Sequence, residues 1–265
     1  MGGTAARICN LHRGNAMRII GLILAGALIA PLALARQTTS LGPAGALRTS
    51  KDPAETRRNE MVVAANALIF DAHDYQRALD EKLTPVIREY ENMPRKGDPR
   101  LYSARSPKEA LYYMLLAATA HDQSGVGRDA IDAGYAYGYA YYLSSYAQTE
   151  LKHQIEAEAL LRKAVELAPM NSLFIGELGY HIQMTGDNVG ALEMFKRAEA
   201  ATEYSPEETR IFDKTRALRG QGYALVELGK LDEAEAAYKA AIKLDPDDKK
   251  SKDELEYIRQ QRAKH

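Results

Sequence analysis

Two adjacent pairs, His73-Asp74 and His121-Asp122, with Asp71 beside the first, are the residues best suited to hold a metal ion. Imidazole nitrogens and carboxylate oxygens would be its ligands. Both pairs fall where helices are expected to reverse, and there Asp and His are ordinary. No H-E-x-x-H pattern and no cysteine ligand completes a coordination shell, so the turn reading prevails. His153, at another turn, and His181, on a helix, are read as bystanders. Nucleophilic catalysis has no candidate either: G-x-S-x-G is absent, and the single cysteine, Cys9, precedes the first apolar run. Gly125-Val126-Gly127 lacks the third glycine and the preceding strand of a nucleotide loop. No catalytic residue, cofactor or metal ligand is assigned, and the chain reads as a non-enzyme. A metal-dependent enzyme built on His73 and His121 is the lesser alternative.

Tyrosine is the more informative residue. The chain has 16 Tyr against 4 Phe and no Trp, and GYAYGYAYYLSSYA places Tyr135, Tyr137, Tyr139, Tyr141, Tyr142 and Tyr146 within twelve residues. On a helix, residues two apart point to different faces, so this set cannot be buried as one layer. Tyrosine joins a large, stiff contact surface to a hydroxyl, which suits either a binding surface or the space between packed helices. For Tyr139, Tyr141 and Tyr238 packing is the better reading.

The elements that must position these side chains are helices. The 265 residues carry 35 Lys+Arg against 36 Asp+Glu, a formal charge of -1, which argues against a protein that grips nucleic-acid phosphates. Arg7, Arg13 and Arg18, the apolar run Ile19–Ala30 and the Ala33-Leu34-Ala35 site have the form of a secretory signal peptide over 1–35. The 17 residues from Ile19 to Ala35 are short for a span, so cleavage after Ala35 is preferred to an inner-membrane anchor. Met17, just ahead of the run, is a second candidate start. Cleavage would leave 32 basic and 36 acidic residues and no cysteine, which suits an oxidising compartment, most simply the periplasm. Residues 36–56 read as a flexible linker, 57–137 as a divergent helical region and 138–265 as a regular array.

Ser106-Pro107 and Ser205-Pro206, each with Glu at the third helical position, and Asp245-Pro246 are helix starts. Gly186 and Gly229 stand where helices end. In ALRGQGYALVELGKLDEAEAAYKAAIKLDPDD, small Gly222 and Ala234 let two helices approach, Leu218, Leu225 and Tyr238 fill the space around them, Ala241 follows and Pro246 closes the unit. Ile175, Gly179, Ile182, Ala191, Phe195 and Ala198 repeat this 43 residues earlier, with a nine-residue excess at YSPEETRIF. A further step of 34 reaches Tyr141, Ser145, Gln148, Ala157, Leu161, Ala164 and Pro169. Val62, Asn66, Ile69, Ala78 and Lys82 fall in the same frame, with Pro85 where a small residue is usual. A helical pair is expected over about 106–137, with Ala117, Ala118 and Ala130 near the frame positions. The tail DDKKSKDELEYIRQQRAKH reads as a polar capping helix. Strand signals are nearly absent.

These units resemble the tetratricopeptide repeat (TPR), well over 138–248 and loosely over 59–137. The resemblance implies an all-α, TPR-like α-solenoid of antiparallel helix pairs, a right-handed superhelix with a C-terminal capping helix. It implies a concave groove lined by first-helix residues outside the packing consensus, here Tyr142, Tyr146, Tyr180, Arg216, Arg219 and Tyr223. Tyr146, Tyr180 and Tyr223 share one repeat position, so a ladder is expected. The Lys and Asn clamp of the chaperone-tail type is not reproduced, so that ligand class is not carried over. The implied function is a non-catalytic scaffold or adaptor of the cell envelope, binding a protein or peptide, for example in secretion or polysaccharide export. An immunity or inhibitor-type protein for one effector is the alternative. Membrane contact is expected only if the apolar segment stays uncleaved.

Overall fold

In the computed structural model, residues 52–94, 99–119 and 129–263 are described, together with the backbone of two short strands before them. Those strands, β1 (Ser40–Leu41) and β2 (Leu47–Arg48), pair antiparallel. The leader segment 1–35 lies outside the described residues, as do His121, Asp122 and Gly125-Val126-Gly127.

Helix α1 spans Pro53–Phe70 and starts inside the stretch read as linker. Asp52 caps it, its Oδ1 accepting from Ala54 N at 2.9 Å, and Pro53 sits where a missing N–H is harmless. The chain reverses through His73, at φ 54°, into α2. That helix begins as Tyr75–Arg77, widens through a π-helical turn at Ala78–Leu83 and continues as Thr84–Glu91. The frame would place Lys82 in the hairpin core. The wide turn rotates Leu79, Leu83, Val86 and Tyr90 inward instead, and Lys82 is only half-buried.

Residues 106–137 correct the expectation of a helical pair. Among the described residues there, one helix, α3 (Pro107–Thr119), precedes α4, and Ala130 lies in a strand. Strand β3 (Arg100–Tyr102) pairs in parallel with β4 (Ala130–Asp132), and three residues each are too short to show an alternating pattern. Tyr102 and Tyr113 stack at 4.9 Å and form a small core beneath α3 with Ala110 and Ala117.

The regular array follows as antiparallel pairs: α4 (Tyr135–Glu150) with α5 (Gln154–Leu167), α6 (Ser172–Met184) with α7 (Asn188–Ala201), and α8 (Glu207–Glu227) with α9 (Leu231–Leu244). Helix α10 (Lys249–Arg262) caps the stack, burying only Ser251 and Ile258. This is the all-α TPR-type solenoid expected of the repeats. Left-handed residues end the first helices: Gly186 at φ 91°, Gly229 at φ 73° and, where no glycine stands, Lys152 at φ 69°.

Two of the expected helix starts differ in detail. Ser205 does not cap α8; its Oγ bonds Asp213 at 2.6 Å, a pull no local pattern reveals. Asp245-Pro246 forms a turn, and Asp248 caps α10 three residues later. At α3 the Ser106 Oγ accepts from Glu109 N at 3.1 Å as expected, while the Glu109 carboxylate accepts from Arg105 N.

The pairs close because small residues face aromatic rings. A Cβ built on Gly222 would lie 2.5 Å from the Tyr238 ring, and one on Gly179 would lie 2.9 Å from Phe195. Gly220 closes the joint between pairs, where a Cβ would sit 2.4 Å from Phe195. Gly176, by contrast, has only Ala198 Cβ near, at 3.9 Å. Urea unfolding therefore separates them: Gly222→Ala overpacks and loses about 1–3 kcal/mol, while Gly176→Ala keeps or raises stability by up to about 1 kcal/mol.

Candidate functional site

The tyrosines of α4 divide among faces as helical geometry demands. Tyr137 stacks on Tyr90 of α2 at 4.4 Å, and the Tyr141 hydroxyl donates to Glu91 at 2.7 Å. On another face Tyr139 and Tyr142 meet Phe174 of α6, each at 5.2 Å, the first edge-on and the second stacked. Tyr146 packs on Phe70 of α1 at 4.8 Å.

Of the six residues expected to line the groove, five converge. Tyr180 on α6 and Tyr223 on α8 lie 6.4 Å apart, centroid to centroid. Arg216 Cζ stands 5.9 Å from the Tyr180 ring and also faces Tyr142 two helices away. Arg219 faces the Tyr180 hydroxyl. The sixth, Tyr146, remains beside Tyr142 but spends its ring on α1, so the direct ring-to-ring ladder runs only from Tyr180 to Tyr223.

The surface they form is not a row of free side chains. Tyr142, Tyr180 and Tyr223 are buried, Tyr180 against Phe195 and Tyr223 against Tyr238. Arg216 pairs with Glu177 of α6, and Arg219 pairs with Asp248 at 2.7 Å. Burial lowers the Arg216 pKa, and neighbouring Arg219 adds to the effect. For Arg219 burial works the same way, but Tyr180, Asp248 and Tyr223 outweigh it and its pKa is raised. Lys250, in the first turn of α10, is held down by burial and by these two arginines. Burial raises the three tyrosines, Tyr142 to about 12. The floor of the face is thus aromatic and rigid, and its upper layer is a set of compensated charges.

Sequence reasoning missed Glu177, Asp248 and Lys250, which lie outside the consensus frame; alternation of charge on a helix carries no sign of which acid meets which arginine. It also missed a buried cluster at the edge of the solenoid. Arg105, after β3, donates to Glu109 and to Asp213 of α8, both at 3.1 Å, and to Ser205 Oγ at 3.2 Å. Glu109 is fully buried; burial raises its pKa, opposed by Arg105. Together with the bond from Ser103 N to Leu167 O, this cluster straps α3 across the repeat loops. It holds structure and presents no free group.

His73 and its neighbours do what turn residues do. Its Nδ1 lies 3.3 Å from the Tyr75 hydroxyl, and Asp74 caps α2. His181 meets Thr149 at 3.2 Å, and burial lowers its pKa. Among the described residues no three His, Cys, Asp or Glu side chains are placed to hold a metal ion, and no helix is long and apolar enough to cross a membrane.

Comparison with known proteins fits this geometry. Tetratricopeptide-repeat models match residues 138–171 and 215–248, the α4–α5 and α8–α9 pairs. The chain carries tetratricopeptide repeats. The α6–α7 pair between them makes the same small-residue-to-aromatic contact and completes a run of three TPR-type hairpins. No curated protein matches the chain. Among solved structures, the first TPR of Spaghetti (RPAP3) bound to the HSP90 peptide SRMEEVD is similar, at 21% identity. That likeness covers 48% of this chain and 95% of the other, with a TM-score of 0.42.

Asp248 joins the TPR array to its cap, since it holds Arg219, Ser251 Oγ and, at 3.4 Å, the Ser251 N–H. Asp248→Ala is expected to lower stability by roughly 2–4 kcal/mol in chemical denaturation, through a lost cap and a broken buried pair. Glu203→Ala, which removes only the exposed pair to Lys108, leaves the unfolding midpoint unchanged.

Proposed function

We propose that this protein is a non-catalytic interaction module, exported to the cell envelope, that holds a peptide or protein segment against its concave face. Tetratricopeptide hairpins stack because none buries its apolar face alone, and stacking leaves an extended surface of first-helix side chains. The observation that carries the reading is the convergence of Tyr142, Tyr180 and Tyr223, one from each of three consecutive first helices, with Arg216 and Arg219. Export rests on the sequence pattern of residues 1–35. The envelope setting, with secretion or polysaccharide export as the class of assembly, follows from that export.

Burial of the tyrosines refines their role. They form a stiff floor, so little side-chain entropy is lost on binding, and a partner meets hydroxyl edges and the charged layer above them. A ligand that engages Arg216 or Arg219 must share or replace Glu177 or Asp248, so specificity depends on groups that satisfy both signs of charge.

Site-specific photocrosslinking in the native envelope tests this without disturbing the floor. A benzophenone side chain at Lys250, on the groove side, should form one discrete adduct. The same group at exposed Lys239 on α9 should not. Equal adducts from both positions, or none from Lys250, would remove the groove from consideration.

A further inference from the structure

The outer face of α3 is apolar and uncovered. No charged residue stands between Ala110 and Thr119. Ala110, Tyr113 and Ala117 turn inward to the small core beneath the helix, while Leu111 is 70% exposed, Leu115 60% and Met114 42%. Their spacing puts the three on one side of the helix, and exposed Ala118 extends them into a strip about 10 Å long. A lone exposed leucine needs no explanation, but a contiguous strip marks a contact.

One border of the strip carries side chains with polar tips. Half-buried Tyr112 lies against Tyr204, ring centroids 4.7 Å apart. Lys108 stands 5.4 Å from the Tyr204 ring and donates to Glu203 O at 2.7 Å. Tyrosine and lysine beside aliphatic side chains suit a membrane–water boundary, where rings and stems enter the apolar zone and the tips stay wet. The helix is also held in place. Arg105 donates to Asp213 at 3.1 Å, Ser106 Oγ to Tyr204 O at 2.8 Å, and Met170 N to the Tyr113 hydroxyl at 3.1 Å. The strip therefore needs no ordering when it binds.

The course of the chain points to what covers the strip. The backbone of β1 lies against α3, so the chain passes this helix before it begins α1. Only residues 31–39 separate β1 from the apolar run Ile19–Ala30, and nine residues span at most about 30 Å. A bilayer that takes up the run lies within that distance of β1. A second copy of the chain is a poorer occupant, because so few exposed side chains fall far short of the roughly 20–30 residues a side of a stable interface. A bilayer asks for no shape complementarity.

We infer that the outer strip of α3 rests on the bilayer surface, with Leu111, Met114 and Leu115 at the acyl-chain boundary, beside the point where the N-terminal run meets the membrane. This rests on the membrane-directed reading of residues 1–35 and not on the groove. One apolar contact gives weak, reversible attachment, and two together give a stable one. With the run retained, run and strip hold the array jointly. After cleavage the strip alone holds it weakly at the surface.

The chain has no tryptophan, so one introduced by Leu115→Trp, or in a second variant by Leu111→Trp, reports alone. The full chain is mixed with vesicles of phosphatidylethanolamine and phosphatidylglycerol. Both reporters should shift to the blue and be quenched by lipids brominated in the acyl chain. Ile155→Trp, at a position 84% exposed at the start of α5, should do neither. Replacing Leu111 and Leu115 together by Ser should weaken vesicle binding at least about tenfold, with the helical circular dichroism unchanged. Reporters that stay unmoved while the chain floats with the vesicles, or an equal response at position 155, would overturn the inference. A blue shift that grows with protein concentration without lipid would also overturn it and give the strip to a second copy. If position 115 enters the bilayer but residues 1–35 fail to export a fused reporter enzyme, the membrane contact stands and the envelope reading falls. If export succeeds and the tryptophans stay in water, the envelope reading stands and this contact falls.

Discussion

The close approach of two helix backbones, allowed where a glycine meets an aromatic ring, is the contact on which the rest of the molecule depends. Gly222 lies under Tyr238, and Gly179 and Gly220 both lie against Phe195. Each contact removes a side chain from one helix so that a ring of the next can fill the space at crystal-like density. With that separation set, the first helices line up on one side and the second helices on the other. The face that the first helices share follows from this geometry; it does not arise from any one residue on it.

That tight stacking explains why the aromatic residues of the face are nearly buried. Arg216 of α8 reaches Tyr142 of α4 past the intervening first helix, α6. Once the tyrosine rings are covered, the guanidinium groups above them cannot remain unpaired in so dry a place, and Glu177 and Asp248 meet them. The charged layer is therefore part of the fold as much as part of a binding surface.

The N-terminal half solves the same packing problem by other means. Where the repeat frame offers Lys82 and Pro85, a π-helical turn re-aims α2 so that Leu79, Leu83, Val86 and Tyr90 are buried. Where a further hairpin would be expected, α3 is instead strapped across the loops by Arg105, Glu109 and Asp213. Arg105 and Asp213 are 108 residues apart, and their pairing also takes Ser205 away from capping α8.

Periodicity carries information about contacts within one hairpin. Glycine and alanine at a fixed spacing from Leu, Phe and Tyr determined the helix pairs, their turns at Gly186 and Gly229, the repeat frame and the polar cap, because each depends on residues fewer than about 34 apart. The same frame marks first-helix positions, and five of the six residues it marks lie near one another across α4, α6 and α8. Which charges are paired and which rings are covered depended on contacts between hairpins, with α1 and α3, and with α10. Those contacts follow from the twist and separation of packed helices, which no local spacing records. The tertiary structure alone could therefore turn Tyr146 towards Phe70, set Asp248 against Arg219 and leave the ring of Tyr238 fully buried against Gly222.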